Sequence, residues 1–95
     1  MHIISRKALK EFALKHPQSE TSLDSWHRVA KQAQWRNFAE VKKSYPSADL
    51  VGEYIVFNIK GNDYRLIVGM NFCKQVIFIK HILTHSDYDK NKWKT

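Results

Sequence analysis

The hydrophobic repeat changes once along the chain, and that change limits the fold more than any other feature. Up to about residue 45, apolar side chains recur every three to four positions. From Leu50 they recur every second position and are mostly β-branched or aromatic. Helical spacing and then strand spacing, in separate blocks, predicts an α+β fold with helices packed on a small antiparallel sheet, rather than alternating βαβ units. A chain of 95 residues is expected to form a single domain over residues 1–95, because one core takes roughly 100–150 residues.

In the first block, His2, Ile3 and Ile4 make a short apolar run suited to an edge strand, and Ser5 follows as an N-cap. Ala8, Leu9, Phe12 and Ala13 trace one helix, which Pro17 stops. Leu23, Trp26, Val29, Ala30 and Ala33 trace a second, opening at Ser19 or Ser22, with Thr21 and Asp24 close to a capping box. The short polar turn around Pro17 predicts an antiparallel pair. A further helical turn over 37–44 carries Phe38 and Val41. Trp26, Trp35 and Phe38 read as core rather than as a platform for stacking bases.

The second block predicts strands over 53–60, 64–72 and 75–83. If Gly61 and Asn62 form a two-residue hairpin loop, Ile59 faces Tyr64, Phe57 faces Leu66 and Ile55 faces Val68, giving one apolar face. Asn58 and Arg65 then pair on the other face. A turn at Cys73 and Lys74 pairs Met70 with Ile77 and Val68 with Ile79. It sets Lys80 across from Ile67, on the face of Arg65, and leaves His81 on the apolar side in a structural role.

Sixteen Lys and Arg against nine Asp and Glu leave a charge of +7, with a pI near 9.7. That predicts a polyanionic partner without choosing among DNA, RNA and anionic lipid. The lone Cys73 makes no internal disulfide and has no zinc-type spacing around it. No apolar signal segment follows residues 1–7, and no run approaches the ~18 apolar residues of a membrane span. A cytoplasmic protein without a membrane segment is therefore expected. His2, His16, His27 and His81 share no metal-ligating spacing, and there is no Gly-rich phosphate loop and no Gly-x-Ser-x-Gly. Neither a metal nor a cofactor is expected.

Arg65 interrupts an otherwise apolar strand, and its guanidinium suits bidentate phosphate binding. Lys80 has the same sign on the same expected face. His85, Tyr88 and Lys90 follow the last strand, where a short turn would bring them to the mouth of the sheet. Cutting RNA without a metal needs a base for the ribose 2′-hydroxyl, an acid for the departing 5′ oxygen, and cations for the phosphorane. Histidine suits proton transfer near neutral pH. Each residue also has an ordinary reading: Arg65 and Lys80 as solvated cations on an open sheet, His85 as an exposed side chain near the chain end.

Three stretches carry a resemblance: Tyr54-Ile55-Val56-Phe57-Asn58-Ile59-Lys60-Gly61-Asn62-Asp63-Tyr64-Arg65-Leu66-Ile67-Val68, then Val76-Ile77-Phe78-Ile79-Lys80, then Thr84-His85-Ser86-Asp87-Tyr88-Asp89-Lys90. Together with Met1-His2-Ile3-Ile4 and Lys7-Ala8-Leu9, the chain resembles the HigB family of bacterial toxins, in the RelE/ParE superfamily. The resemblance implies a RelE/ParE-like fold and metal-independent cleavage of messenger RNA, generally in the A site of the small ribosomal subunit during translation. It implies a HigA-like helix-turn-helix antitoxin that neutralises the toxin and alone carries the contact with operator DNA. By position, Arg65, Lys80, His85 and Tyr88 match the expected catalytic set, with Asn58, Lys60 and Lys90 as RNA-binding residues. Lys80 stands where the family often has arginine, and His81 where an apolar or aromatic residue is common. Which residue is base and which acid stays open.

Three other readings fit a basic α+β chain. One is a non-catalytic RNA or ribosome binder, and the second is a ParE-like gyrase inhibitor, against which the His/Tyr tail argues. The third is a DNA-binding regulator, for which the helix pair lacks a recognition helix.

Overall fold

The computed structural model describes residues 1–90 and Trp93. Strand β1 (His2–Ile4) leads into helix α1 (Arg6–Lys15), a 3-10 turn over Pro17–Ser19, and helices α2 (Glu20–Gln32) and α3 (Phe38–Ser44). Strands β2 (Asp49–Val51), β3 (Tyr54–Ile59), β4 (Tyr64–Asn71) and β5 (Val76–Thr84) follow, and helix α4 (His85–Asp89) closes the described chain. The sheet order is β1-β5-β4-β3-β2. The fold is α+β, as expected, but the sheet is mixed rather than wholly antiparallel. The edge strand β1 runs parallel to β5, because α1 and α2 carry the chain across the sheet before it returns.

Leu23, Trp26 and Ala30 of α2 are buried while Val29, on the same expected stripe, is exposed. Trp26 meets Phe57 edge-on at 5.4 Å, and Tyr45 meets the same ring at 5.2 Å. Phe57 is thus the point where helices and sheet lock together. Ser19 stands at the N-cap position of α2, yet its hydroxyl donates to the His16 carbonyl at 2.7 Å instead of capping the helix. Helix α3 is capped in the ordinary way: Asn37 Oδ1 accepts from the Glu40 backbone N–H at 3.0 Å, and Glu40 reaches back to the N–H of Arg36 at 2.9 Å. Asn37→Ala is expected to cost about 1 kcal/mol, read as a small fall in denaturation midpoint with no effect on any activity.

The register of β3 on β4 is the expected one, including Asn58 opposite Arg65. The connecting loop differs. Four residues, 60–63, are unpaired, Asp63 N–H bonds the Lys60 carbonyl at 3.2 Å, and positive φ falls on Lys60 (53°) and Gly61 (64°), not on Gly61 and Asn62. Between β4 and β5 the pairs Met70–Ile77 and Val68–Ile79 hold, but the ladder then shifts by one residue, so that Ile67 faces His81, Leu66 faces Ile82 and Arg65 faces Leu83. Lys80 is the extra residue of a β-bulge. Two expectations are corrected here: Lys80 does not stand across from Ile67, and His81 is not on the apolar side. The bulge lets Ile82 fall into the core that Ile77 and Ile79 already enter. β2 pairs with β3 at the far edge of the sheet and was not expected from the pattern. Among the described residues, no helix is long and apolar enough to cross a membrane.

Candidate active site

On the face of the sheet turned away from α1 and α2, Arg65 lies at the end of β4 where the hairpin loop, β4 and α4 meet. It is only 8% exposed. Its Nη1 donates to the carbonyls of Asn62 at 2.9 Å and Tyr64 at 3.2 Å, so the side chain curls back onto the loop that precedes it. Its Nη2 lies 3.0 Å from His85 Nδ1, and the Tyr88 ring centroid is 5.4 Å from Cζ. A guanidinium can only donate. His85 Nδ1 must therefore accept, which leaves the ring proton on Nε2, and Nε2 sits 3.1 Å from Asp89 Oδ2. Guanidinium, imidazole and carboxylate thus follow one another in close polar contact, Nη2 to Nδ1 at 3.0 Å and Nε2 to Oδ2 at 3.1 Å.

Local sequence explains how His85 reaches this position. β5 ends at Thr84, paired with Tyr64. Thr84 Oγ1 accepts from the Asp87 N–H at 3.1 Å and so starts α4, while the His85 N–H bonds the Asp63 carbonyl at 3.0 Å. The first turn of α4 is thus pinned to the hairpin loop. In a helix, residues four apart share a face, which brings Asp89 under His85. Tyr88 turns inward instead and stacks on Trp93 with ring centroids 5.3 Å apart. Trp93 is buried against Val56 and Ile67.

The structure thus brings Arg65, His85 and Tyr88 together, with Asn58 beside Arg65 across the ladder. It does not bring Lys80 to them. That ammonium lies over the Phe78 ring, 5.5 Å from its centroid, beyond the Ile67–His81 row. Lys60 pairs with Asp63 at 3.9 Å and Lys90 with Asp87 at 3.7 Å, both on the rim of the cluster. Asp89 and Trp93 were not singled out from the sequence. Asp89 carried a signal, since Thr84 and Asp87 are spaced to begin a helix and His85 and Asp89 are then four apart. Among the described residues, no three His, Cys, Asp or Glu side chains gather closely enough to hold a metal. Cys73 is exposed in the β4–β5 turn.

The model of a family described as HigB_toxin, the RelE-like toxic component of a toxin-antitoxin system, matches residues 19–91. The chain belongs to the HigB toxin family. The mRNA interferase HigB of Escherichia coli O6:H1 (strain CFT073) is 34% identical over 93 residues, covering 95% of this chain and 90% of that protein. The mRNA interferase toxin HigB of Escherichia coli K12 is 33% identical over 92 residues, covering 94% and 88%, and the mRNA interferase HigB of Shigella flexneri matches to the same extent. As a HigB toxin the chain has an antitoxin partner. The Arg65–His85–Asp89 chain lies within the matched span, as do the hairpin loop and the first turn of α4 that hold it.

Proposed function

We propose that this HigB-family toxin is an endoribonuclease that cuts messenger RNA, and that Arg65, His85 and Tyr88 carry the reaction. The observation that supports this most is the 3.0 Å bond from Arg65 Nη2 to His85 Nδ1, because it sets up an exchange. When a phosphate oxygen takes the Nη2 donor, the Nδ1 lone pair is released to accept the proton of the ribose 2′-hydroxyl. The 2′ oxygen then bonds to phosphorus and the bond to the 5′ oxygen breaks. Tyr88 gives the departing 5′ oxygen its proton. The products are a 2′,3′-cyclic phosphate and a 5′-hydroxyl end. Asp89 holds the Nε2 proton and stabilises the imidazolium as it forms, the role a carboxylate plays behind a catalytic histidine. Asn58, Lys60 and Lys90 surround the cluster and bind flanking RNA.

The message is cut on the translating ribosome, in the A site of the small subunit, in the cytoplasm. The partner is a HigA-like helix-turn-helix protein, through which alone the complex contacts operator DNA. The purified toxin added to a translating extract is expected to leave message fragments with 5′-hydroxyl ends. Stalled translation over intact message would instead make the protein a non-catalytic ribosome binder. Gyrase-dependent DNA damage with messages unharmed would place it with ParE-like poisons.

A further inference from the structure

The β-bulge that removes Lys80 from the Arg65 cluster gives it a different setting. Alternation along β4 puts Arg65, Ile67 and Gly69 on one face, and their partners on β5 are Leu83, His81 and Phe78. Phe78 is 39% exposed there. Its cross-strand neighbour on one side is Gly69, which has no side chain to lean on the ring; on the other it is Ile4 of β1, itself 41% exposed. An aromatic residue in a sheet is usually covered by a cross-strand side chain. On the Gly69 side the Lys80 stem comes in, with Cε 3.5 Å from where a Cβ on Gly69 would stand and Nζ 5.5 Å from the Phe78 ring centroid.

We infer that Phe78 and Lys80 form a nucleotide subsite beside the cutting centre, Phe78 stacking one base of the RNA and Lys80 pairing with its phosphate. The inference rests on the message-cutting reading of the Arg65 cluster. A base needs a flat apolar surface open on one side, and any of the four bases can use it. Lys80 over an exposed ring is weakly held, so an arriving base takes its place and the ammonium swings to the adjacent phosphate. Gly69 lies four steps along β4 from Arg65, about 13 Å of strand, within reach of a nucleotide flanking the scissile bond. His81 projects on the same face between the two, opposite Ile67 and beside the apolar cluster of Ile67, Leu83 and Trp93.

The test titrates the full-length toxin into a translating extract and maps message ends by primer extension, comparing the parent with Phe78→Leu and Phe78→Trp. Leucine keeps the apolar bulk and loses the π face, so packing and stacking are separated. Phe78→Leu is expected to raise the half-saturating toxin concentration about tenfold, the usual size of one lost base stack, with a smaller effect on the plateau rate and a changed preference among cut sites. Phe78→Trp is expected to match or exceed the parent. A Phe78→Leu toxin that half-saturates like the parent at the same sites overturns the subsite. So does one that cuts normally but escapes neutralisation by its antitoxin, which would make the patch a protein-docking surface. A parent toxin that leaves every message whole overturns the nuclease reading itself, a result distinct from either.

Discussion

Replacing His85 with alanine is expected to abolish growth arrest by the toxin expressed without its antitoxin, and to slow message cutting by about 10²–10⁴-fold, the range for loss of a positioned proton-transfer group. The fold should barely change. The His85 side chain is 52% exposed, and its backbone N–H bond to the Asp63 carbonyl does not need the imidazole. The Thr84 cap that starts α4 is also untouched. The loss should therefore appear in rate while the melting temperature stays within a few degrees of the parent. Arrest as strong as the parent's at equal protein level would remove His85 from the mechanism and, with it, the exchange at Nδ1.

Arg65→Ala is expected to lose activity to a similar degree and, unlike His85→Ala, to lose stability as well. The guanidinium is nearly buried and satisfies two loop carbonyls, those of Asn62 and Tyr64. Removing it leaves those acceptors without their partner, at about 1–3 kcal/mol in all. In a domain of this size each kcal/mol shifts the melting temperature by about 4–8 °C, so a fall of roughly 5–20 °C is the expected readout in a thermal melt. Arg65→Lys separates the two effects. One ammonium cannot span both carbonyls and His85 Nδ1, because it lacks the planar fork; the variant should recover part of the stability and little of the cutting. Lysine performing as well as arginine would mean that position 65 supplies charge alone. Because Arg65 and His85 share a hydrogen bond, their double alanine variant should cut no worse than either single one, a non-additivity expected of groups that act as a unit.

Legibility differed between the two halves of this site. Arg65 and its partner Asn58 were readable because the alternation of Ile55, Phe57 and Ile59 against Leu66 and Val68 allows one register only: a slip of one residue would turn every core side chain outward. The pairing survived even though the loop places its positive φ angles at Lys60 and Gly61. Simple alternation puts the last strand one residue out of step past Ile79. Its signal was present, since Ile77 and Ile79 are two apart whereas Ile82 is three further on, but Lys80 and His81 are both polar and alternation cannot say which of two polar neighbours is the extra one.

The sequence by itself determined the first three helices and the strands β1, β3, β4 and β5 in their order, the apolar face of the sheet, and the identity of the cation at its other face, because side-chain period and strand register are local properties of the chain. Only the tertiary structure decided that Lys80 belongs with Phe78 and not with Arg65, that β1 runs parallel to β5, and that Asp89 and Trp93 back His85 and Tyr88. These depend on where one strand bulges against another and on how a five-residue helix is pinned to a distant loop through the Asp63 carbonyl. A helix that short does not stand alone, so its place is set by what it touches.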